Sequence, residues 1–458
     1  MTTTETPTAE ARTAGTANAD TPTAGTTRAA PPAALARAVR SAQRRLARAP
    51  GEVRTAVLRR AAALLAERQD DLLAANAHDL DGARRDGLAA PLLARLALSP
   101  AKLATLRDGL EQLADQRDPL GAELRRTELD DGLVLSQVRS PIGVLLVVFE
   151  SRPDAVVQIG SLALRSGNGV ILKGGAEATA SNRALVACLR DALAGEGLEP
   201  AAVSAVEGRE AVGALLALDG DIDLVIPRGS GELVRAIQRA TRIPVLGHAE
   251  GVCHLYLDRA ADPETAGRLA VDAKCDYPAA CNAAETLLVH RGFLPHLPAV
   301  GEALTAAGVE LRADPEALAV LPGARPATPD DFGREFGDLV LAVRTVGSLD
   351  EAIDHVHAHG SAHTDAIVTE DPEAAERFLA AVDSASVFHN ASTRFADGYR
   401  YGLGAEVGIA TGRIHARGPV GVDGLLTTRW LLRGRGQAVA DYGPGGRSFT
   451  HRPLPPGE

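Results

Sequence analysis

Gly143-Val-Leu-Leu-Val-Val-Phe149-Glu-Ser-Arg-Pro153 opens the stretch that decides the fold, and Gly169-Val-Ile-Leu-Lys173-Gly-Gly175 closes it. Val144–Phe149 is a short, unbroken apolar run, the pattern of a strand buried on both faces. A periodic segment of helix length separates it from the second run, Val170–Leu172. The alternation continues through Ala202–Val206, Leu224–Ile226 and Pro244–Leu246. This is the βαβ signature of a parallel, doubly wound sheet, whose ligands bind at the carboxyl ends of the strands. The loops expected there are Glu150-Ser151-Arg152-Pro153, Lys173-Gly174-Gly175, Glu207-Gly208, Pro227-Arg228-Gly229-Ser230-Gly231 and His248-Ala249-Glu250-Gly251. Glycines, cations and helix starts recur in them and suit a phosphorylated ligand. The ordinary dinucleotide fingerprint is absent, because Val234 stands where a third glycine would follow Gly229 and Gly231.

From Cys253 a second α/β series begins, with strands expected at Cys253–Leu257, Leu287–Val289, Leu339–Val343, Ala366–Thr369 and Ser386–Phe388. Upstream, Ala33 to Leu113 is Arg/Ala/Leu-rich and helical, with helices expected at Arg54–Arg68, Asp70–Gly87 and Leu92–Gln112. Asp131-Gly132 between two alternating runs marks a hairpin over Thr127–Val138. Met1 to Pro32 is rich in Thr, Ala, Gly and Pro and is expected to be a disordered tail. The organisation expected is a tail over 1–32, a first α/β domain over 33–250 that carries the hairpin 127–138, a second α/β domain over 251–425, and a C-terminal tail over 426–458 that partly docks on another subunit.

The chain has 458 residues, 45% hydrophobic and 23% charged, enough for more than one large core. A net charge of −11 argues against nucleic acid or an anionic membrane as the main partner. Cys188, Cys253, Cys275 and Cys281 have no paired short spacing, which suits a reducing, cytoplasmic setting and no structural zinc. No apolar run approaches the ~20 residues of a membrane span. Only Lys102, Lys173 and Lys274 among 48 basic residues are lysine, so each raises the question of why a compact ammonium is kept.

Cys281 sits in the small-residue loop Pro278-Ala279-Ala280, just before a buried apolar run. A thiol at the lip of a sheet, near a boundary between two α/β units, is a candidate nucleophile, with Lys274 and Asn282 as candidate stabilisers of negative charge. A buried, inert cysteine is the plainer alternative. His355 and His359 would share a helix face, yet nothing completes a metal site, and a solvated or hydrogen-bonded helix end is the favoured reading. The densest polar motifs are Asn390-Ala391-Ser392-Thr393-Arg394-Phe395, Gly402-Leu403-Gly404-Ala405-Glu406 and His415-Ala416-Arg417-Gly418-Pro419. Glycine-rich backbone with several arginines suits a loop around an anionic substrate, although any single arginine is more often a solvated one.

Taken together, Pro141–Val144, Phe149–Pro153, Ser166–Asn168 and Leu172–Gly175 resemble the cofactor half of the aldehyde dehydrogenase superfamily. Phe149–Pro153, Pro227–Gly231, Ala280–Ala283, Asn390–Phe395 and His415–Pro419 resemble its gamma-glutamyl phosphate reductase family, from about Ala33 to about Gln437. The resemblance implies an aldehyde dehydrogenase-like α/β fold: a doubly wound parallel cofactor domain, a second α/β catalytic domain and a small oligomerisation hairpin. It implies reduction of L-glutamyl 5-phosphate to L-glutamate 5-semialdehyde through a Cys281 thioester with Asn282 beside it, using NADP(H). Lys173 would contact the adenosine ribose or its 2′-phosphate, Gly229, Ser230 and Gly231 the pyrophosphate, and Glu406 the nicotinamide ribose. Ala176, where NAD-preferring members often carry glutamate, favours NADP(H). Ser151, Arg152, Arg394, His415 and Arg417 are the expected substrate contacts. No metal is implied; a homo-oligomer is, and a separate glutamate 5-kinase would supply the substrate. Ser151 replaces the oxyanion asparagine of hydrolytic members, and Glu250 near the usual base position is not needed by a reductase. Another acylating or hydrolytic aldehyde dehydrogenase, or a binding protein that lost the chemistry, are the rival readings.

Overall fold

Where apolar side chains fall in the chain fixes the larger sheets in the computed structural model, which describes residues 31–247 and 250–457. The expected tail falls, up to position 30, outside these residues, as do His248 and Ala249 of the glycine loop. From Pro32 onward the chain is one compact unit. Strands β1 (Glu123–Asp130) and β2 (Leu133–Pro141) form the expected hairpin. It turns at Gly132, whose φ of +68° suits a residue without Cβ.

Strands β3 (Val144–Phe149), β4 (Gly169–Lys173), β5 (Val203–Ala205) and β6 (Leu224–Arg228) make a parallel sheet in the order β5-β4-β3-β6. All six β3 side chains are buried. Leu145, Val147 and Phe149 meet the helices Gly51–Glu67, Pro100–Asp115, Asp154–Arg165 and Thr179–Gly195 on one face. Val144, Leu146 and Val148 meet the helices Pro32–Leu46, Arg209–Leu216 and Gly231–Ala240 on the other. Burial on both faces, at about 1.5–3 kcal/mol per large apolar side chain, is why this run has no polar alternation.

The second sheet is seven-stranded and parallel: β7 (Cys253–Leu257), β8 (Ala284–His290), β9 (Glu310–Ala313), β10 (Arg325–Pro326), β11 (Val340–Val346), β12 (Thr364–Val368) and β13 (Ser386–His389), in the order β10-β9-β11-β8-β7-β12-β13. Its helices start at side-chain caps, Asp262 before Pro263–Cys275 and Ser348 before Leu349–His359. After the two-stranded β14 (Ile409–Ala410) and β15 (Gly418–Pro419), the chain returns to the hairpin. There β16 (Leu426–Arg433) and β17 (Arg452–Leu454) complete an antiparallel sheet, β16-β2-β1-β17. Its β16 edge leaves Trp430 51% and Leu432 58% exposed.

The expected tail over 426–458 is instead built into the chain's own hairpin sheet, with Leu426–Arg433 paired to β2 along its length and Arg452–Leu454 paired to β1. Three further expectations need correction. Leu92–Gln112 is two helices, Ala90–Leu96 and Pro100–Asp115, because Ser99 caps the second and Pro100 begins it. Pro244–Leu246 contributes only a bridge, Val225 to Val245. Strands β9 and β10 were not expected: their charged residues, among them Glu310, Arg312 and Arg325, pair with one another and with Asp331 at the sheet's edge. Among the described residues no helix is long and apolar enough to cross a membrane, and no cluster of three metal-ligating side chains occurs. His355 is buried against His359, ring centroids 4.4 Å apart. Burial first, and the neighbouring His254 second, push its imidazole far below the usual range.

Candidate active site

The carboxyl ends of β3 and β6 face the turn that leads into β8 across a cavity of about 540 Å³. Cys281 lies on its wall, in the turn between the helix Pro263–Cys275 and β8. Small residues hold that turn: Ala280 N–H donates to Tyr277 O at 3.0 Å, and Ala283 N–H to Ala280 O at 2.9 Å. Beneath it, the buried Cys253 thiol donates to the Cys281 carbonyl at 3.3 Å. Burial pushes Cys253 well above the usual thiol range, so it stays a neutral donor. Gly251 passes so close that a Cβ there would stand 1.9 Å from the Cys281 carbonyl oxygen. Its N–H donates to Glu335 at 2.9 Å, which ties this strand entrance to the cavity wall.

Asn282 is 3% exposed and its side chain donates to Ala396 O at 2.9 Å, joining the nucleophile turn to the Arg394 loop. Arg394 bonds Asp276 at 3.1 Å and lies over the Tyr277 ring, 6.0 Å from its centre. On the opposite wall Gly229 and Ser230 begin the helix Gly231–Ala240, with Ser230 as its cap. Glu150 Oε2 accepts the Ser230 N–H at 3.2 Å, and a Cβ on Gly229 would come 2.6 Å from that oxygen. Glu406 accepts the Gly398 N–H at 2.8 Å. Burial pushes its carboxyl up, against the pull of Arg228, whose guanidinium is 4.0 Å away.

The structure thus gathers Cys281, Asn282, Gly229, Ser230, Gly231, Glu406, Arg152 and Arg394 around one cavity. Other expected residues lie elsewhere. Ser151 is 5% exposed at φ +32°, and both its N–H and its hydroxyl donate to Glu177. Burial raises the Glu177 carboxyl, but these bonds and the charge of Lys173 outweigh it and hold it below its usual range. Lys173, at the end of β4, therefore sits beside a carboxylate supplied one residue beyond Ala176. His415 and Arg417 line a second cavity of about 490 Å³. There His415 donates to Gly424 O at 2.8 Å, and Arg417 binds Asp383 at 2.7 Å. Lys274 is no stabiliser of the thiolate: wholly buried, it is 2.7 Å from the equally buried Glu285. Cys275 packs on the sheet core, and burial raises its thiol. Glu250 is exposed and paired with Arg235.

Residues 6–317 match the aldehyde dehydrogenase family, beginning upstream of Ala33. A gamma-glutamyl phosphate reductase of Synechococcus sp. (strain CC9605) is 53% identical over 420 residues, 91% of this chain and 96% of the relative. One from Cyanothece sp. (strain PCC 7425 / ATCC 29141) is 51% identical over 422 residues, 92% and 97% of the two chains. The chain belongs to the gamma-glutamyl phosphate reductase family of aldehyde dehydrogenases. The crystal structure of the Thermotoga maritima gamma-glutamyl phosphate reductase superposes with a TM-score of 0.86 at 36% identity, covering 89% of this chain and 99% of that one.

Within that fold, the sequence reading missed Arg228. It lies on the cavity wall at the end of β6, within electrostatic reach of Cys281, Glu406 and Arg152. Burial lowers its guanidinium from the usual range, and its buried Nη1 has no hydrogen-bond partner. A charged residue between an apolar strand and a glycine turn was the available signal. In the sequence Gly251 reads only as a loop glycine; its close approach to Cys281 is a tertiary fact that no local pattern carries.

Proposed function

We propose that this chain reduces L-glutamyl 5-phosphate to L-glutamate 5-semialdehyde and phosphate, the second step of proline biosynthesis from glutamate, through a Cys281 thioester. The observation that carries the reading is Cys281 on the wall of a cavity whose far side holds Arg228, Glu406 and the Gly229-Ser230 helix start. The Cys281 thiolate attacks the acyl carbon, and the carbon–oxygen bond to phosphate breaks with its electron pair leaving on phosphate. Arg228 and Arg152 lie where negative charge grows on the carbonyl oxygen and the departing phosphate. The N–H groups of Cys281 and Asn282 add donors for the oxyanion, and the Asn282 side chain holds that turn through Ala396.

The residues present fit NADP(H). The partnerless buried Nη1 of Arg228 and the tight Gly229 backbone suit an anionic, close-packed ligand. Gly229, Ser230 and Gly231 would hold the pyrophosphate, Glu406 the nicotinamide ribose and Lys173 the 2′-phosphate. When bound, the cofactor supplies the hydride that takes the acyl group to the aldehyde. Lys173 offers a cation for the 2′-phosphate, and Ala176 adds no second carboxylate to the one already there, Glu177, whose charge is taken up by two hydrogen bonds from Ser151, which favours NADP(H) over NAD(H). Glu150 would have to yield the Ser230 N–H to a bound phosphate. Ser151, His415 and Arg417 act as supports of their loops. The exposed β16 edge carries a homo-oligomeric contact, a separate glutamate 5-kinase supplies the substrate, and the setting is cytoplasmic.

Oxidation of L-glutamate 5-semialdehyde with NADP⁺, with and without inorganic phosphate, tests this reading. Turnover that requires phosphate and disappears in Cys281→Ala is expected. Turnover without phosphate would assign a hydrolytic dehydrogenase instead.

A further inference from the structure

Beside the Cys281 turn, a smaller cavity of about 320 Å³ shares Arg95, Arg152, Tyr277 and Ala279 with the main one. Its remaining wall includes Lys102 and Asp154. Three cations and one carboxylate in a pocket next to a nucleophile are an unusual set. We propose that this cavity reads the amino-acid head of the substrate, with Lys102 and Arg95 on the α-carboxylate and Asp154 on the α-ammonium. The inference rests on the proposed function, since it concerns the other end of the molecule that Cys281 attacks.

The groups show what they lack. Asp154 Oδ1 is buried without a hydrogen-bond donor, and the Lys102 ammonium stands 3.6 Å away, an ion pair too long for a hydrogen bond. Arg95 Nε is likewise buried and partnerless. A buried acceptor and a buried donor, both unmet and both on one small cavity, are complementary to a zwitterion. Asp154 begins the helix Asp154–Arg165, where a carboxylate also suits the helix dipole. Lys102 is fixed by donating to Arg95 O at 3.3 Å and Ala97 O at 3.1 Å, which holds the end of helix Ala90–Leu96 against the pocket. A point-like ammonium can serve two carbonyls and a ligand carboxylate at once, a reason to keep lysine in so arginine-rich a chain. Two methylenes separate the reacting carbonyl from the α-carbon, and Ala279, which lines both cavities, is two residues from Cys281.

The test compares L-glutamate 5-semialdehyde with 5-oxopentanoate, the same aldehyde acid without the ammonium, as a competing ligand in the phosphate-dependent oxidation. Asp154→Asn should raise KM for the amino acid about 10- to 100-fold, the scale of a lost charged hydrogen bond, while kcat and the competition constant of 5-oxopentanoate change little. Lys102→Met should weaken both ligands, and Lys102→Arg, whose planar fork cannot serve both carbonyls and a carboxylate from one point, should recover little of the loss. Equal weakening of both ligands by Asp154→Asn, or no change in either, would overturn the assignment while leaving the proposed function standing. A wild-type chain that does not oxidise L-glutamate 5-semialdehyde would remove both.

Discussion

Alanine at Gly251 should disable the enzyme without unfolding it. Its Cβ would lie 1.9 Å from the Cys281 carbonyl oxygen, 2.6 Å from the carbonyl carbon and 2.7 Å from Cα. These are backbone atoms, so no rotamer change relieves the clash, and the Cys281 turn must retreat by roughly 1 Å to reach van der Waals contact. A displacement of that size at the reacting atom costs on the order of 100-fold in rate. Overpacking of this kind costs about 1–3 kcal/mol of stability, a loss a large core survives. Gly220→Ala, where a Cβ meets nothing within 4 Å, is the control. Steady-state kcat/KM, alkylation of Cys281 by iodoacetamide and a thermal melt separate the effects. A folded Gly251→Ala protein with wild-type kcat/KM and an unchanged alkylation rate would refute the claim that this glycine positions the nucleophile.

Other consequences follow from buried charge and from the sheet edge. Lys274→Met leaves Glu285 buried and unpaired and should cost about 3–5 kcal/mol in denaturant unfolding, whereas Lys274→Met with Glu285→Leu should recover most of it; equal losses in both proteins would contradict the pairing argument. His355, held neutral far below its unfolded pKa, contributes stability that is full above about pH 6.5 and falls with pH below it, by at most ~1.4 kcal/mol per unit. His355→Gln should flatten that acid slope, measured as urea midpoints between pH 7.5 and 5, and an unchanged slope would assign the acid sensitivity elsewhere. Trp430→Glu on the exposed β16 edge should shift the molecule to a smaller species in light scattering, with its melting profile otherwise kept. A variant that keeps the wild-type mass would take this edge out of the oligomer contact.

The strands buried on both faces were the most legible part of the sequence. Val144–Phe149 and Cys253–Leu257 are strands at the residues expected, because an unbroken apolar run of that length has few other uses. Short edge strands were not legible: Glu310–Ala313 buries only alternate residues and offers charges to its neighbours. That Cys281, Glu406 and the Gly229–Gly231 turn line one cavity was legible because each is carried by a local motif. Arg228, Asp154 and Lys102 matter through neighbours far away in the chain, and Lys102 showed only as a rare lysine. Ser151, His415 and Arg417 have the right chemistry, but Ser151 is bonded to Glu177, His415 Nε2 to Gly424 and the two Nη atoms of Arg417 to Asp383, while Arg417 Nε is left buried and unpartnered.

The central claim is that Cys281 carries an acyl group which only phosphate releases. Rapid mixing of the protein with L-glutamate 5-semialdehyde and NADP⁺ in phosphate-free buffer tests it directly. A burst of about one NADPH per active site is expected, followed by a stall that added phosphate relieves, since acyl-enzyme accumulation is the mark of covalent catalysis. Steady turnover without phosphate, or a burst that persists in Cys281→Ala, would contradict it.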